Sequence, residues 1–293
     1  MQQVKAQNVS GCRPGYEVEQ SLLFGSNNSS YLSRTPSAAG NRKTWTWSGW
    51  FKMGIVEGSY RTILGSGGGT SRDRIQIFAG EQLVVNFGDG ADANLKTTQV
   101  FRDPSAWYHL VVDVDTTQAT STDRIKIYVN GEQISAFDTE NYPTQNYDTN
   151  INNTDTQYIG QSSANNYYWD GYLAEVHLID GQALGPEHFA IIDSCGVYSP
   201  IPYTGTYGTN GFYLPFDPSG FIFDQSGNGN HFSSIGLTSD DLVADSPTNN
   251  YCTFNPLSNS SRNKWDTVSE GNLKLYGAGD NFGEATFLLN SGK

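Results

Sequence analysis

Along most of the chain, apolar and polar residues alternate with a period of two, in runs too short for helices. In Thr44–Met53, Trp45, Trp47, Gly49 and Phe51 fall on one face and Thr46, Ser48, Trp50 and Lys52 on the other. Period-two alternation puts successive side chains on opposite sides of a pleated strand. The same reading predicts strands at residues 21–25, 61–64, 74–78, 82–87, 107–113, 124–129, 132–137, 157–160 and 171–178. Residues 79–81 supply a turn around Gly80, and Asn130-Gly131 supplies another of the kind that closes a two-residue hairpin. The glycine run at 65–69 and the Asn/Thr/Tyr-rich stretch 138–156 are expected to be loops. One short helix is expected at 186–193, with Pro186 at its first position. Beyond it, Pro200, Pro202 and several glycines predict an extended connector, followed by strands at 273–276 and 285–289.

These elements predict an all-β protein built as a two-sheet antiparallel sandwich of jelly-roll type, followed by an extended connector and the start of a further β region. The expected divisions are an arm at 1–14, a sandwich at 15–196, a connector at 197–256 and a C-terminal β region at 257–293. The expected core comprises Trp47, Phe51, Phe78, Phe87, Trp107 or Tyr108, Tyr128, Leu173 and Val176. Each buried ring contributes on the order of 2–3 kcal/mol.

Composition narrows the function classes. Aromatic residues make up 13% of the 293 positions and charged residues only 16%, with 32 glycines. That mixture suits short strands joined by Gly/Asn turns. The net charge of −13 repels phosphate backbones, and no basic stripe relieves it, so nucleic acid is not an expected partner. Residues 1–10 are polar and do not resemble a signal peptide, and no apolar run approaches the roughly 20 residues of a membrane span. No membrane insertion is expected. Cys12, Cys195 and Cys252 are too few and scattered for a disulfide framework and are read as free thiols.

Catalytic signatures are weak. Retaining glycoside hydrolysis needs two carboxylates about 5–5.5 Å apart. The close same-face pairs Glu17/Glu19 and Asp113/Asp115 read as solvated edges. His109, His177, His188 and His231 accompany no nucleophile motif and read as hydrogen-bonded or surface histidines. The protein is expected not to be an enzyme. Tyr142, Tyr147, Asn165, Asn166, Tyr167, Tyr168 and Trp169 fall in two predicted loops and form the candidate ligand-binding set, for a glycan or a subunit interface. Tyr167-Tyr168-Trp169 cannot all face one core. Asp89 and Asp92 on a glycine turn, with Asp170, are the candidate calcium ligands, set against the ordinary use of Asp-Gly as a turn.

Several segments also carry a resemblance. Trp107-Tyr108-His109-Leu110-Val111-Val112-Asp113, followed by Ile125-Lys126-Ile127-Tyr128-Val129-Asn130-Gly131, resembles the core signature of the laminin-G-like, concanavalin A-like superfamily. Thr46-Trp47-Ser48-Gly49-Trp50-Phe51, Tyr158-Ile159-Gly160 and Asp170-Gly171-Tyr172-Leu173-Ala174-Glu175-Val176 agree in order, as does Ala183-Leu184-Gly185-Pro186-Glu187. The match spans roughly residues 15–193. It implies a sandwich whose rim loops bind carbohydrate, and such rims often hold calcium. The β-glucanase pattern Glu-x-Asp-x-x-Glu of that superfamily does not occur. Two further segments, 15–22 running to 41–50, and 211–216 with 224–230 and 245–251, resemble virion proteins of marine tailed phages. In those relatives the later part leads into a second sandwich of SPRY type. This resemblance implies a virion localisation as a tail-fibre or spike adhesin that binds host-surface carbohydrate, contacts other virion proteins, and forms a homo-oligomer, by analogy a trimer. The alternatives are a capsid decoration or connector protein with purely structural contacts, and a secreted polysaccharide hydrolase.

Overall fold

The alternation in Thr44–Met53 decides the architecture. Trp45, Trp47, Phe51 and Met53 all lie in the main core, while Lys52 and Trp50 point the other way. The computed structural model describes residues 15–25, 28–54, 60–68, 71–163, 166–194, 196–255, 267–276 and 286. The expected arm at 1–14, Cys12, Cys195, Asn165, and all of the strand expected at 285–289 except Thr286 lie outside the described residues.

Strands are numbered in chain order. The first sheet runs Glu132–Gln133 (β10), Ile125–Val129 (β9), Trp107–Asp115 (β8), Thr44–Met53 (β3), Gly171–Asp180 (β13), Ser21–Phe24 (β1) and Leu242–Val243 (β18), with Phe212–Leu214 (β16) also paired to β13. The second runs Phe137–Asn141 (β11), Ala93–Val100 (β7), Gln82–Phe87 (β6), Ser71–Ile77 (β5), Arg61–Gly68 (β4), Gln157–Ile159 (β12), Tyr31–Arg34 (β2) and Ser233–Ile235 (β17). Two hairpins stand apart: Ala190–Ile192 (β14) with Tyr198–Pro200 (β15), and Thr267–Ser269 (β19) with Lys274–Tyr276 (β20). Every pairing within the two large sheets is antiparallel. The fold is therefore the all-β jelly-roll sandwich predicted. No helix among the described residues is long and apolar enough to cross a membrane.

The inner faces meet as expected for facing sheets. Trp47, Phe51, Phe87, Leu173 and Val176 are core residues. Of the pair left open, Tyr108 packs against this core, whereas Trp107 is buried on the outer side of the first sheet. Two expected core rings lie elsewhere. Phe78 follows inward Ile77 and therefore points outward, where Tyr60 and Lys96 meet its ring. Tyr128 packs on the outer face of the first sheet, beside Val111.

Local departures have local causes. Asn130 and Gly131 take positive φ of 50° and 85°, the conformation a type I′ hairpin requires. In the turn between β5 and β6 the left-handed residue is Glu81 (φ 58°), not Gly80. The glycine run expected as a loop is instead the end of β4. At Gly65 a side chain would stand 2.7 Å from the carbonyl oxygen of Gln161, so only glycine lets the chain pass. The expected helix at 186–193 is one 3-10 turn, Pro186–His188, followed by β14. Eight residues that include two adjacent β-branched isoleucines, Ile191 and Ile192, nucleate a helix poorly.

Residues 197–256, expected as an extended connector, contribute β16 and β18 to the first sheet and β17 to the second. Their aromatic residues explain why. Phe212, Phe216 and Phe232 are buried in the main core, and leaving them on a free connector would expose them. In the expected C-terminal β region, the turn of the β19–β20 hairpin is held to the first sheet: Tyr172 donates to Gly271 O (2.5 Å) and Asn272 Nδ2 to Gly54 O (2.7 Å).

Candidate functional site

Period-two order on β5 turns Ile75 and Ile77 into the core and Arg72, Arg74 and Gln76 onto the outer side of the second sheet. Cross-strand partners extend this face. Arg74 is opposite Asn86 on β6 and Gly65 on β4, and Gln76 is opposite Val84 and Thr62. On β12 and β2, Tyr158 and Tyr31 alternate with buried Ile159 and Leu32, so both look outward.

The turn 166–168 lies on the same side, fixed by Thr62 N donating to Tyr167 O (2.8 Å). Tyr167, held at φ 56°, bridges two contacts: its ring is 4.8 Å from Tyr60 and 5.9 Å from the Arg74 guanidinium. Tyr60 continues to Phe78 at 4.7 Å, edge to face. Tyr168 lies 6.3 Å from Tyr31, which lies 6.0 Å from Tyr158. All six rings are half-buried. Asp89 binds both Arg72 (2.7 Å) and Arg74, and desolvation lowers the Arg74 pKa although Asp89 opposes that shift. Thr62 Oγ1 and Gln76 Oε1 are neighbours on adjacent strands, both buried, and neither has a hydrogen-bond partner. An unmade buried hydrogen bond costs about 1–3 kcal/mol.

The structure separates the predicted ligand set. Tyr167 and Tyr168 join the aromatic row. Asn166 closes its own turn by accepting from Ser162 Oγ (2.7 Å). Trp169 is a correction. It is fully buried, edge-on to Phe51 at 5.8 Å, because it leads directly into β13, whose pairing with β3 begins at Gly171 and Met53. Tyr142 and Tyr147 pack on the edge of the main core, with Tyr147 parallel to Phe87 and donating to Asp92 (3.0 Å).

Asp89, Asp92 and Asp170 do not come together as calcium ligands. Asp89 is paired with the two arginines, Asp92 accepts from Tyr147, and Asp170 is buried beside Gly54 in front of the first sheet. Among the described residues no group of three or more His, Cys, Asp or Glu is placed to hold a metal ion. Six to eight oxygen ligands are what Ca²⁺ requires.

The histidines fit their structural reading. His109 is buried between Ser48 Oγ (2.9 Å) and Tyr198 OH (3.0 Å), and burial pushes its pKa down to about 3. His177 is equally buried, 3.0 Å from Tyr207 OH and stacked 4.3 Å from Tyr213, its pKa also pushed down to about 3. Neither reaches solvent, so the Ser48–His109 contact gives no accessible nucleophile.

Sequence reasoning missed Tyr31, Tyr60, Tyr158, Arg74, Gln76 and Thr62. A usable signal existed in β5, where polar Arg72, Arg74 and Gln76 alternate with Ile75 and Ile77. A face that carries arginine and amide between aliphatic residues is one that the core does not claim.

Two facing antiparallel sheets with a polar, ring-bearing outer face define a lectin-like sandwich. The chain belongs to the concanavalin A-like lectin/glucanases superfamily, whose family model (Laminin_G_3) matches residues 25–188. Among solved structures it is similar to a candidate carbohydrate binding protein from Bacteroides ovatus, with 16% identity and a TM-score of 0.51; the match covers 76% of this chain and 60% of that one. It is also similar to the heptameric SAP-like pentraxin of Limulus polyphemus (14% identity, TM-score 0.43, 58% and 80% covered). A third likeness is to tailspike protein 2 of the Escherichia coli O157:H7 bacteriophage CAB120 (16%, 0.40, 59% and 24%). These likenesses concern the fold. No curated protein matches the sequence.

Proposed function

We propose that this chain is a non-catalytic carbohydrate-recognition module and that the outer face of its second sheet holds the sugar. The observation that carries this reading is the pair of partnerless buried acceptors, Thr62 Oγ1 and Gln76 Oε1, beside a row of half-buried rings. A pyranose offers an apolar C–H face and several hydroxyl donors. Tyr167, Tyr60 and Phe78, or Tyr168, Tyr31 and Tyr158, supply flat surfaces for the first. Thr62, Gln76, Asn86 and, opposite Asn86 on β7, Asn94 supply hydrogen-bonding groups for the second. Family membership supports the class of ligand.

The reading extends to a place on a particle: a tail fibre or spike of a tailed phage that attaches to host-surface glycan, with other virion proteins as neighbours and a homo-oligomer as the working assembly. The segments 15–22 running to 41–50, and 211–216 with 224–230 and 245–251, motivate it. Immunogold labelling of particles should mark fibres or spikes, and the free chain should compete with particles for host cells. Label on the capsid shell alone would favour the decoration role instead.

Glycan-array binding followed by calorimetry tests the site. Tyr167→Ala should weaken binding about tenfold, equivalent to about 1.4 kcal/mol. A blank array with folded protein, or a Tyr167→Ala variant that binds unchanged, would overturn it. Release of reducing sugar by the purified chain would overturn the non-catalytic part.

A further inference from the structure

Lys52 lies on the outer side of β3, and its side chain is fully buried. Residues 245–251 pass over it. Its Nζ is 2.8 Å from Asp245 Oδ2, 2.8 Å from Asn250 Oδ1 and 3.0 Å from Tyr251 O. The second oxygen of Asp245 accepts from Trp107 Nε1 (2.9 Å), and Asn250 Nδ2 donates to Ser105 O (2.7 Å). The Tyr172 ring stands 5.6 Å from Nζ. A primary amine, a carboxamide and a carboxyl group thus share one pocket walled by aromatic rings.

We propose that Lys52 and Asn250 become joined by an intramolecular isopeptide bond after folding, with Asp245 carrying the proton. Lys52 first transfers a proton to Asp245 and becomes a free amine. The Nζ lone pair forms a bond to Asn250 Cγ, giving a tetrahedral centre. Asp245 hands its proton to Nδ2 and takes another from Nζ. The Cγ–Nδ2 bond then breaks with its electron pair, and ammonia leaves. Of the three Nζ protons, one stays on the new amide, one leaves in ammonia and one remains on Asp245. No oxidant, reductant or further reactant enters.

Three physical features favour the reaction. First, a buried ammonium–carboxylate pair pays heavily for desolvation, which favours the neutral pair the attack needs. Consistently, burial lowers the Lys52 pKa and raises that of Asp245, each against the pull of its partner. Second, the fold holds amine and amide together, and effective molarities of roughly 10⁵–10⁸ M are reached by well-oriented intramolecular groups. Third, the roles divide cleanly. If Asp245 were the electrophile, no second carboxylate among the described residues would lie within 4.0 Å of Nζ to carry the proton. The bond would tie β3 to a segment 198 residues further along the chain.

Denaturing mass spectrometry of the intact chain tests this, with Lys52→Arg as the reference because arginine keeps the positive charge without a nucleophilic amine. The wild-type chain should be lighter than expected from that variant by one ammonia, and a protease digest should contain a branched peptide joining residues 52 and 250. Asn250→Ala and Asp245→Ala should each abolish the deficit. Equal corrected masses would overturn the proposal. So would an ammonia loss that persists in Lys52→Arg, which marks succinimide formation at a site such as Asn130-Gly131, or a water loss with a branch at Asp245.

Discussion

The outer side of the first sheet is roofed by the chain's own residues, among them Phe189, Ala190, Tyr198, Tyr203, Tyr207 and the segment 245–251, whereas the outer side of the second is lined by half-buried rings. Under the roof lie Lys52 with Asp245, His109 with Ser48 and Tyr198, and Glu175 with Tyr16 and Tyr213. Each of these ionisable groups has a partner aimed at it. On the second sheet, Thr62 Oγ1 and Gln76 Oε1 have none, and the arginines share one aspartate. Same fold and same strand chemistry, but opposite states of satisfaction. A face whose polar groups are paired contributes stability, and a face that keeps buried acceptors unmet has something left to offer a ligand.

Breaking the closed face should have the largest effect. Asp245→Ala strands the Lys52 amine in a dry pocket and removes the Trp107 acceptor. Losing one partner of a buried pair costs about 3–5 kcal/mol before the missing cross-link is counted. Urea denaturation should show that loss, while Arg74→Ala, whose partner Asp89 is partly solvated, should cost no more than about 1 kcal/mol. Equal costs would mean that the two faces do not differ as described.

Next in size is a pH effect on the closed face. At the bulge between Ala174 and His177, Glu175 takes φ 49° and its carboxylate lies buried, accepting from Tyr16 and Tyr213. Burial raises its pKa from 4.5 to about 7, the tyrosines opposing. The folded state therefore holds a proton that the unfolded chain has released. The stability this gives is complete below pH 4.5 and declines as pH rises to about 7, by a few kcal/mol at about 1.4 kcal/mol per unit. His109 and His177 act oppositely: their folded pKa values near 3 lie below the usual 6.5, so their contribution declines as pH falls from 6.5 towards 3. Glu175→Gln should remove the decline between pH 4.5 and 7 and leave the acid-side loss. A variant whose stability curve matches the wild type in that window would refute the protonated-carboxyl account.

The sandwich beneath this contrast was legible in the sequence. The alternation of Trp45, Trp47 and Phe51 gave the inner face, and Asn130-Gly131 the hairpin. The closed outer face was not legible. β16, β17 and β18 are two or three residues long, and their partners lie far off in sequence, so no local period reveals them. Glu175 was hidden for a related reason. Period two from Leu173 would put it in the core, and only the bulge turns it to the outer face, against Tyr16 and Tyr213. Trp169 failed differently: three consecutive rings signal that some must face outward, but the register at Gly171 decides which one goes in.

The smallest expected change is also the sharpest for the outer face of the second sheet. Thr62→Val keeps the shape of the side chain and replaces a buried hydroxyl that has no partner with a methyl group. Stability should hold or rise by about 1 kcal/mol, because the orphaned oxygen is gone. Glycan affinity should fall several-fold, because a ligand hydroxyl loses its acceptor. Only a residue left unsatisfied by the fold and satisfied by a ligand moves the two quantities in opposite directions. A parallel fall in thermal midpoint and affinity would instead make Thr62 an ordinary packing residue, and the unmet polar pair would lose its meaning as the binding face.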